Sequence, residues 1–170
     1  MASIIGVETL QHTNGTTAAT IDSSGRILQP AKPAFSAYRN SSGGEGLTGT
    51  IVFNATDHNV GNGFSTSTGK FTAPVAGAYN FQVNAFFCGT SGGGVLPADT
   101  GQRLEMYKDS TRVGIGYAAF TSTTSYPSVS YSLSLNLAVG ETVYISMPSG
   151  QFVYSDSNRG YLTFSGFLVG

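Results

Sequence analysis

The chain has 170 residues, enough for one domain whose core buries about 70% of the surface exposed by the unfolded chain. Charged residues make up 10%, the net charge is −1 and no Lys/Arg run occurs, so nucleic acid and anionic membranes lack the basic patch they would need. No apolar run approaches the ~20 residues of a membrane span, and Cys88, the single cysteine, rules out an internal disulfide framework or a cysteine-built zinc site.

A surface so poor in charge must be built from Ser, Thr, Asn and Gly, and its weak self-repulsion suits a packed assembly. Residues 1–33 read as an N-terminal arm and linker. Met1–Gln11 lacks the basic start and long apolar core of a secretory signal. Gln11–Thr20 is polar, and Gln29–Pro33 (QPAKP) is a stiff connector. An arm of this kind cannot build its own core, so it is expected to be ordered only where something holds it. Its apolar residues, Val7, Leu10, Ile21, Ile27 and Leu28, are the candidates for that contact.

Residues 34–170 read as one all-β domain. Strands are expected at Ala34–Tyr38, Thr50–Asn54, Gly69–Thr72, Tyr79–Phe87, Arg103–Lys108, Thr111–Phe120, Val129–Leu137, Glu141–Met147 and Gly160–Val169. Turn clusters fall at Asn40–Gly46, Gly89–Gly94 and Ser155–Gly160. About ten short strands with such punctuation predict a β-sandwich or jelly roll.

Val129–Leu137 alternates most cleanly, with Val129, Tyr131, Leu133, Leu135 and Leu137 against Ser130, Ser132, Ser134 and Asn136. Tyr79–Phe87 alternates too, with Phe86 interrupting its polar side. The last strand is apolar on both faces: Tyr161, Phe167 and Val169 on one, Leu162, Phe164 and Leu168 on the other. One cover is the domain's own core; a neighbouring subunit is the expected second cover. Phe81, Tyr161, Phe164, Phe167 and Val169 are therefore assigned to core or trimer packing, without deciding which face does which.

Three stretches imitate enzyme motifs and fail in context. Gly63–Lys70 resembles a phosphate cradle, but five residues separate Gly63 from Gly69 and Phe71 stands where the magnesium-binding hydroxyl belongs. Pro74 and Gly77 then block the helix that a phosphate loop needs. Gly44–Gly49 fits G-x-G-x-x-G but leads into TIVF, a strand pattern. Gly89–Gly93 fits G-x-S-x-G, yet no helix can follow and no histidine lies downstream of Ser91. No catalytic residue is assigned.

Asp57-His58 lacks the further ligands a metal would require and reads as a surface turn. Asp156–Gly160 (DSNRG) offers oxygen ligands for calcium without the later acid of an EF-type loop. No cofactor is assigned, and calcium stays the one candidate cation. Gly89–Gly101 and Thr121–Pro127 are candidate ligand loops, with Tyr126, Asp156 and Asn158 as possible contacts for a surface glycan.

The punctuated run Asn59-x-Gly61-x-x-Phe64, then Gly69-x-Phe71-x-x-Pro74-x-x-Gly77-x-Tyr79-x-Phe81, resembles the signature of C1q-like globular domains. Phe35-Ser36-Ala37, Ile51-Val52-Phe53, Leu135-x-Leu137-x-x-Gly140-Glu141-x-Val143 and Phe164-Ser165-Gly166-Phe167-Leu168 resemble further pieces of it, in order. This resemblance spans about Ala34–Gly170 and implies a ten-stranded jelly roll shared with tumour-necrosis-factor-like domains. It also implies a compact homotrimer that binds ligands without enzymatic activity. The chain shows no collagen stalk, signal peptide or paired cysteines, which argues against an animal complement or hormone role.

The arm, from Val7-Glu8-Thr9-Leu10-Gln11-His12 to Ile21-Asp22-Ser23-Ser24-Gly25-Arg26, is similar to short N-terminal segments of tailed-phage virion proteins. That similarity implies a virion location: a capsid decoration, head fibre or tail-fibre component, anchored by its arm to other virion proteins. The alternative is a soluble C1q-like lectin or ligand-binding module, with or without a calcium requirement.

Overall fold

The computed structural model describes residues 6–98, 100–120, 123–157 and 160–169. The arm is a three-stranded antiparallel meander: β1 (Thr9–Gln11), β2 (Thr17–Ile21) and β3 (Ile27–Leu28). Side-chain turns fold it. Asn14 accepts from the Thr16 amide, and the Asp22 carboxylate accepts from the Ser24 and Arg26 amides and from Arg26 Nε at 2.7 Å. These bonds, led by the Arg26 amide, hold the Asp22 carboxyl below its usual range. Ala19 is the one buried apolar residue among the arm's described residues, so the meander has local order and no core.

Beyond the linker come β4 (Ala34–Tyr38), β5 (Gly43–Gly46), β6 (Gly49–Thr50), β7 (Ala55–Val60), β8 (Phe64–Ser65) and β9 (Lys70–Thr72). The twelve-residue β10 (Gly77–Cys88) follows, then β11 (Val95–Leu96), β12 (Thr100–Lys108), β13 (Thr111–Phe120) and β14 (Thr124–Ser125). The chain closes with β15 (Ser128–Leu137), β16 (Thr142–Met147), β17 (Phe152–Ser155) and β18 (Leu162–Leu168).

Two sheets make the sandwich. The first runs β5-β17-β10-β18-β4-β7, with β15 on the other edge of β10; the second runs β13-β12-β16-β9-β8, with β6 at one end of β16. All ladders are antiparallel, and most of those in the sandwich join strands distant in sequence, with β8–β9 and β12–β13 as local hairpins, giving the jelly-roll architecture expected from the alternating pattern. No helix occurs among the described residues.

The core lies between the sheets. Phe35, Tyr79, Phe81, Phe87 and Phe164 come from the first sheet, and Phe71, Leu104, Met106, Ile145 and Met147 from the second. Phe35 sits at its centre, stacked on Phe64 at 4.7 Å and on Phe71 at 5.1 Å and meeting Phe164 edge-on at 5.1 Å. Offset and edge-on rings of this kind add about 0.5–1.5 kcal/mol per pair beyond area burial.

The structure corrects several expected elements. Asn40–Gly46 is not all turn: Gly43–Gly46 is a strand paired with Phe152–Ser155, itself unforeseen. Glycine is required at Gly44 by close approach, since a Cβ would stand 2.3 Å from the Thr90 carbonyl oxygen. Thr50–Asn54 is mostly not a strand; Gly49–Thr50 pairs briefly with β16, and Ile51 and Phe53 then plug the core from a coil. Asp57-His58 lies in β7, an edge strand, where a turn was expected.

The sheets' outer faces differ in chemistry. β4, β10, β15 and β18 contain no Asp, Glu, Lys or Arg. Their outward side chains form cross-strand rungs: Ser132, Gln82, Ser165 and Ser36 in one, Ser130, Asn84, Thr163 and Tyr38 in the next. Asn80 Nδ2 donates to Ser134 Oγ at 3.0 Å across one rung. The second sheet carries charges. Glu105 Oε1 meets Arg112 at 3.0 Å and Arg103 at 3.3 Å, and Lys108 pairs with Glu141 at 2.7 Å. Lys70 Nζ lies 4.5 Å above the Tyr144 ring, which stacks on Tyr107.

Candidate functional site

Strand direction gives the sandwich two distinct ends. At one end, β4 begins opposite Phe167 near the close of β18. Leu168 N donates to Pro33 O and Lys32 Nζ donates to Val169 O at 2.9 Å, so the linker is tied to the last strand. Gln29, Pro30, Pro33, Ala34, Val60 and Phe167 surround an open groove of about 380 Å³ there. The arm therefore joins the head at this base.

At the other end, β10 finishes at Cys88 and β15 begins at Ser128, so both candidate ligand loops gather there. A short ladder from β11 to β14 joins them, with Val95 opposite Ser125 and Leu96 opposite Thr124, and Phe87 N donates to Pro127 O. The Gly92 amide donates to Gly44 O, which seats the glycine-rich loop over β5. Beneath it, Glu45 Oε2 accepts from Arg39 Nε at 3.0 Å and Nη2 at 2.8 Å, while Glu45 Oε1 accepts from the buried Ser155 hydroxyl at 3.2 Å. These bonds fix the loops on a rigid base.

The residues singled out in the sequence separate into four places. Phe81 and Phe164 are wholly buried and belong to the core, not to any surface. Phe167 and Val169 are half exposed at the base, with Phe167 on the uncharged face. Tyr161 lies at the loop end against Phe86 and Tyr154. In the arm, Val7, Leu10, Ile27 and Leu28 are exposed and Ile21 is half-buried.

Tyr126 and Asp156 fall at the same end. Tyr126 touches Tyr154 with ring centroids 4.9 Å apart, and Asp156 follows β17 two residues beyond Tyr154. Partial burial pushes the Tyr154 phenol up, with Tyr126 and Asp156 adding to the shift. Asn158 lies outside the described residues. Among the described residues, no three His, Cys, Asp or Glu side chains come together as a metal site. From sequence, Phe86 stood out only as an apolar interruption of a polar strand face, and Tyr154 lies in β17, a strand that no sequence pattern announced.

The two packed antiparallel sheets and their connectivity define a jelly-roll β-sandwich domain. The C1q domain model matches residues 34–169, and the chain belongs to the C1q family. Complement C1q tumor necrosis factor-related protein 3 of Mus musculus is 29% identical over 121 residues, which cover 70% of this chain and 44% of that protein. The chain thus spans less than half the length of this relative. Among solved structures, the globular domain of zebrafish complement 1qA protein shares 24% identity with a TM-score of 0.61, over 82% of this chain and 98% of that one. The Eiger TNF of S. frugiperda, at 10% identity, gives 0.64 over 82% and 94%. Proteins of the C1q and TNF type are in general not enzymes.

Proposed function

We propose that the chain is a non-enzymatic attachment module that works as a homotrimer. In this reading the arm docks onto a larger particle and the C1q head presents its loops outward. The observation that carries it is the opposition of ends: arm and linker join the base, whereas both candidate ligand loops meet at the far end. The uncharged face of β4, β10, β15 and β18, with Phe167 exposed on it, supports self-association. Covering it strips water from no ion, so the desolvation penalty that opposes buried charges is absent. In this reading the particle is a virion, with the protein on head or tail and a host-surface glycan as target, and the arm's similarity to tailed-phage segments supports it.

Light scattering and particle incorporation test this reading. The full chain should scatter as a trimer, and deletion of residues 1–29 should leave the trimer while abolishing incorporation. A stable monomer, or incorporation unchanged by the deletion, would sink it. The second reading, a soluble ligand-binding module, is favoured by the kinship to the C1q TNF-related protein. It predicts ligand binding that disappears with a chelator and does not depend on the arm.

A further inference from the structure

Four aromatic rings make a continuous ladder at the loop end. Tyr126 meets Tyr154 at 4.9 Å and 69°, Tyr154 meets Tyr161 at 5.0 Å and 77°, and Tyr161 meets Phe86 at 5.3 Å and 83°. Each ring comes from a different segment, so no stretch of sequence displays the cluster. Phe86 and Tyr154 are fixed by the β10–β17 register, and Tyr161 by the entry into β18.

Tyr126 differs from the other three. Its φ is +48°, in the left-handed backbone region that bulky side chains enter only at a cost. The residue is 38% exposed. Gly93 makes space for it: a Cβ at Gly93 would stand 2.9 Å from the Tyr126 hydroxyl. A turn that needed only this conformation would be more stable with Gly or Asn. Strain of this sort persists where the side chain's position is used.

We propose that the ladder is a saccharide platform. The exposed ring of Tyr126, backed by Tyr154, stacks against the C–H face of a neutral hexopyranose. The sugar hydroxyls meet the backbone of the 89–94 loop. The only cation–ring pair among the described residues, Lys70 over Tyr144, lies on the other sheet. One platform of this kind binds weakly, and three copies on one trimer raise avidity. The inference rests on the proposal that the loop end faces outward.

Saturation-transfer NMR on the full chain tests it, with methyl β-D-galactopyranoside as probe, because its C3–C4–C5 hydrogens form an apolar patch on one face. Transfer should concentrate on those hydrogens. Tyr126→Gly keeps the turn's backbone and should weaken binding about tenfold, the scale of one aromatic stacking contact, with an unchanged circular dichroism spectrum. Tyr126→Phe should retain binding, as should Tyr117→Ala, which removes an exposed tyrosine from the other sheet. Absence of transfer to the galactoside from folded protein, or equal binding by Tyr126→Gly, overturns the platform. A chain that trimerises and incorporates but shows no transfer refutes this inference alone; failure to trimerise refutes the attachment reading.

Discussion

Gly166→Ala probes how tightly the sandwich is packed. Gly166 faces inward from β18, opposite Phe81 of β10 and Phe35 of β4. A methyl group there would stand 2.6 Å from Phe81 Cδ1 and 2.8 Å from Phe35 Cε1. Neither ring can swing aside, since both are at most 1% exposed and contact other rings. Overpacking of this kind costs about 1–3 kcal/mol. Replacing a strand glycine by alanine returns about 0.5–1 kcal/mol of backbone entropy, so the clash wins. The net loss should be about 1–2 kcal/mol, a fall in Tm of roughly 2–8 °C for a chain this long. Thermal unfolding followed by circular dichroism at one protein concentration reads it, because any assembly makes Tm concentration-dependent. Combining it with Phe81→Leu should cost less than the sum of the two changes, by about 0.5 kcal/mol or more. Strict additivity, or a Gly166→Ala chain as stable as the parent, would refute the packing argument.

Two further outcomes follow from the second sheet. Lys70→Ala should cost under about 1 kcal/mol in urea unfolding, the worth of an exposed cation–ring contact, and leave the oligomeric state unchanged. A loss above about 2 kcal/mol would show that Lys70 does more than cover Tyr144. Glu141 is held below its usual value of 4.5 first by Lys108 and then by the Ala138 amide. A depressed carboxyl stabilises the fold above its unfolded value and loses that contribution as pH falls through the folded one. Stability should therefore decline below pH 4.5, and Glu141→Gln should flatten part of that decline. Parallel pH profiles for variant and parent would count against it.

The strands legible in the sequence were those whose alternation runs long enough to outlast their neighbours' turns. Val129–Leu137 and Thr111–Phe120 differ from the observed strands by a residue at most. What escaped were segments whose residues carry two meanings. Gly43 and Gly44 look like turn formers, yet Gly44 lies in a strand because the glycine-rich loop must pass close to it. Ala55–Val60 is polar because it is an edge strand, half of whose backbone pairs with nothing in its sheet. Ile51 and Phe53 carry a strand's alternation, but they reach the core from a coil. The loop-end cluster was half visible: Tyr126 and Tyr161 could be named as exposed or doubly apolar positions. Their contact through Tyr154 depends on a β10–β17 pairing that no local pattern announces.

The linker's attachment has a mechanical consequence. β4, to which the arm leads, is bonded along one edge to β18 and along the other to β7. Antiparallel ladder bonds lie perpendicular to the strands. A pull on the arm along β4 therefore loads both rows in shear, all bonds sharing the force, and cannot open them one after another. Lys32 and Pro33, tied to the end of β18, pass part of that tension to a second strand before β4 is loaded. A head tethered this way can bear a load between its arm and its loops without unzipping.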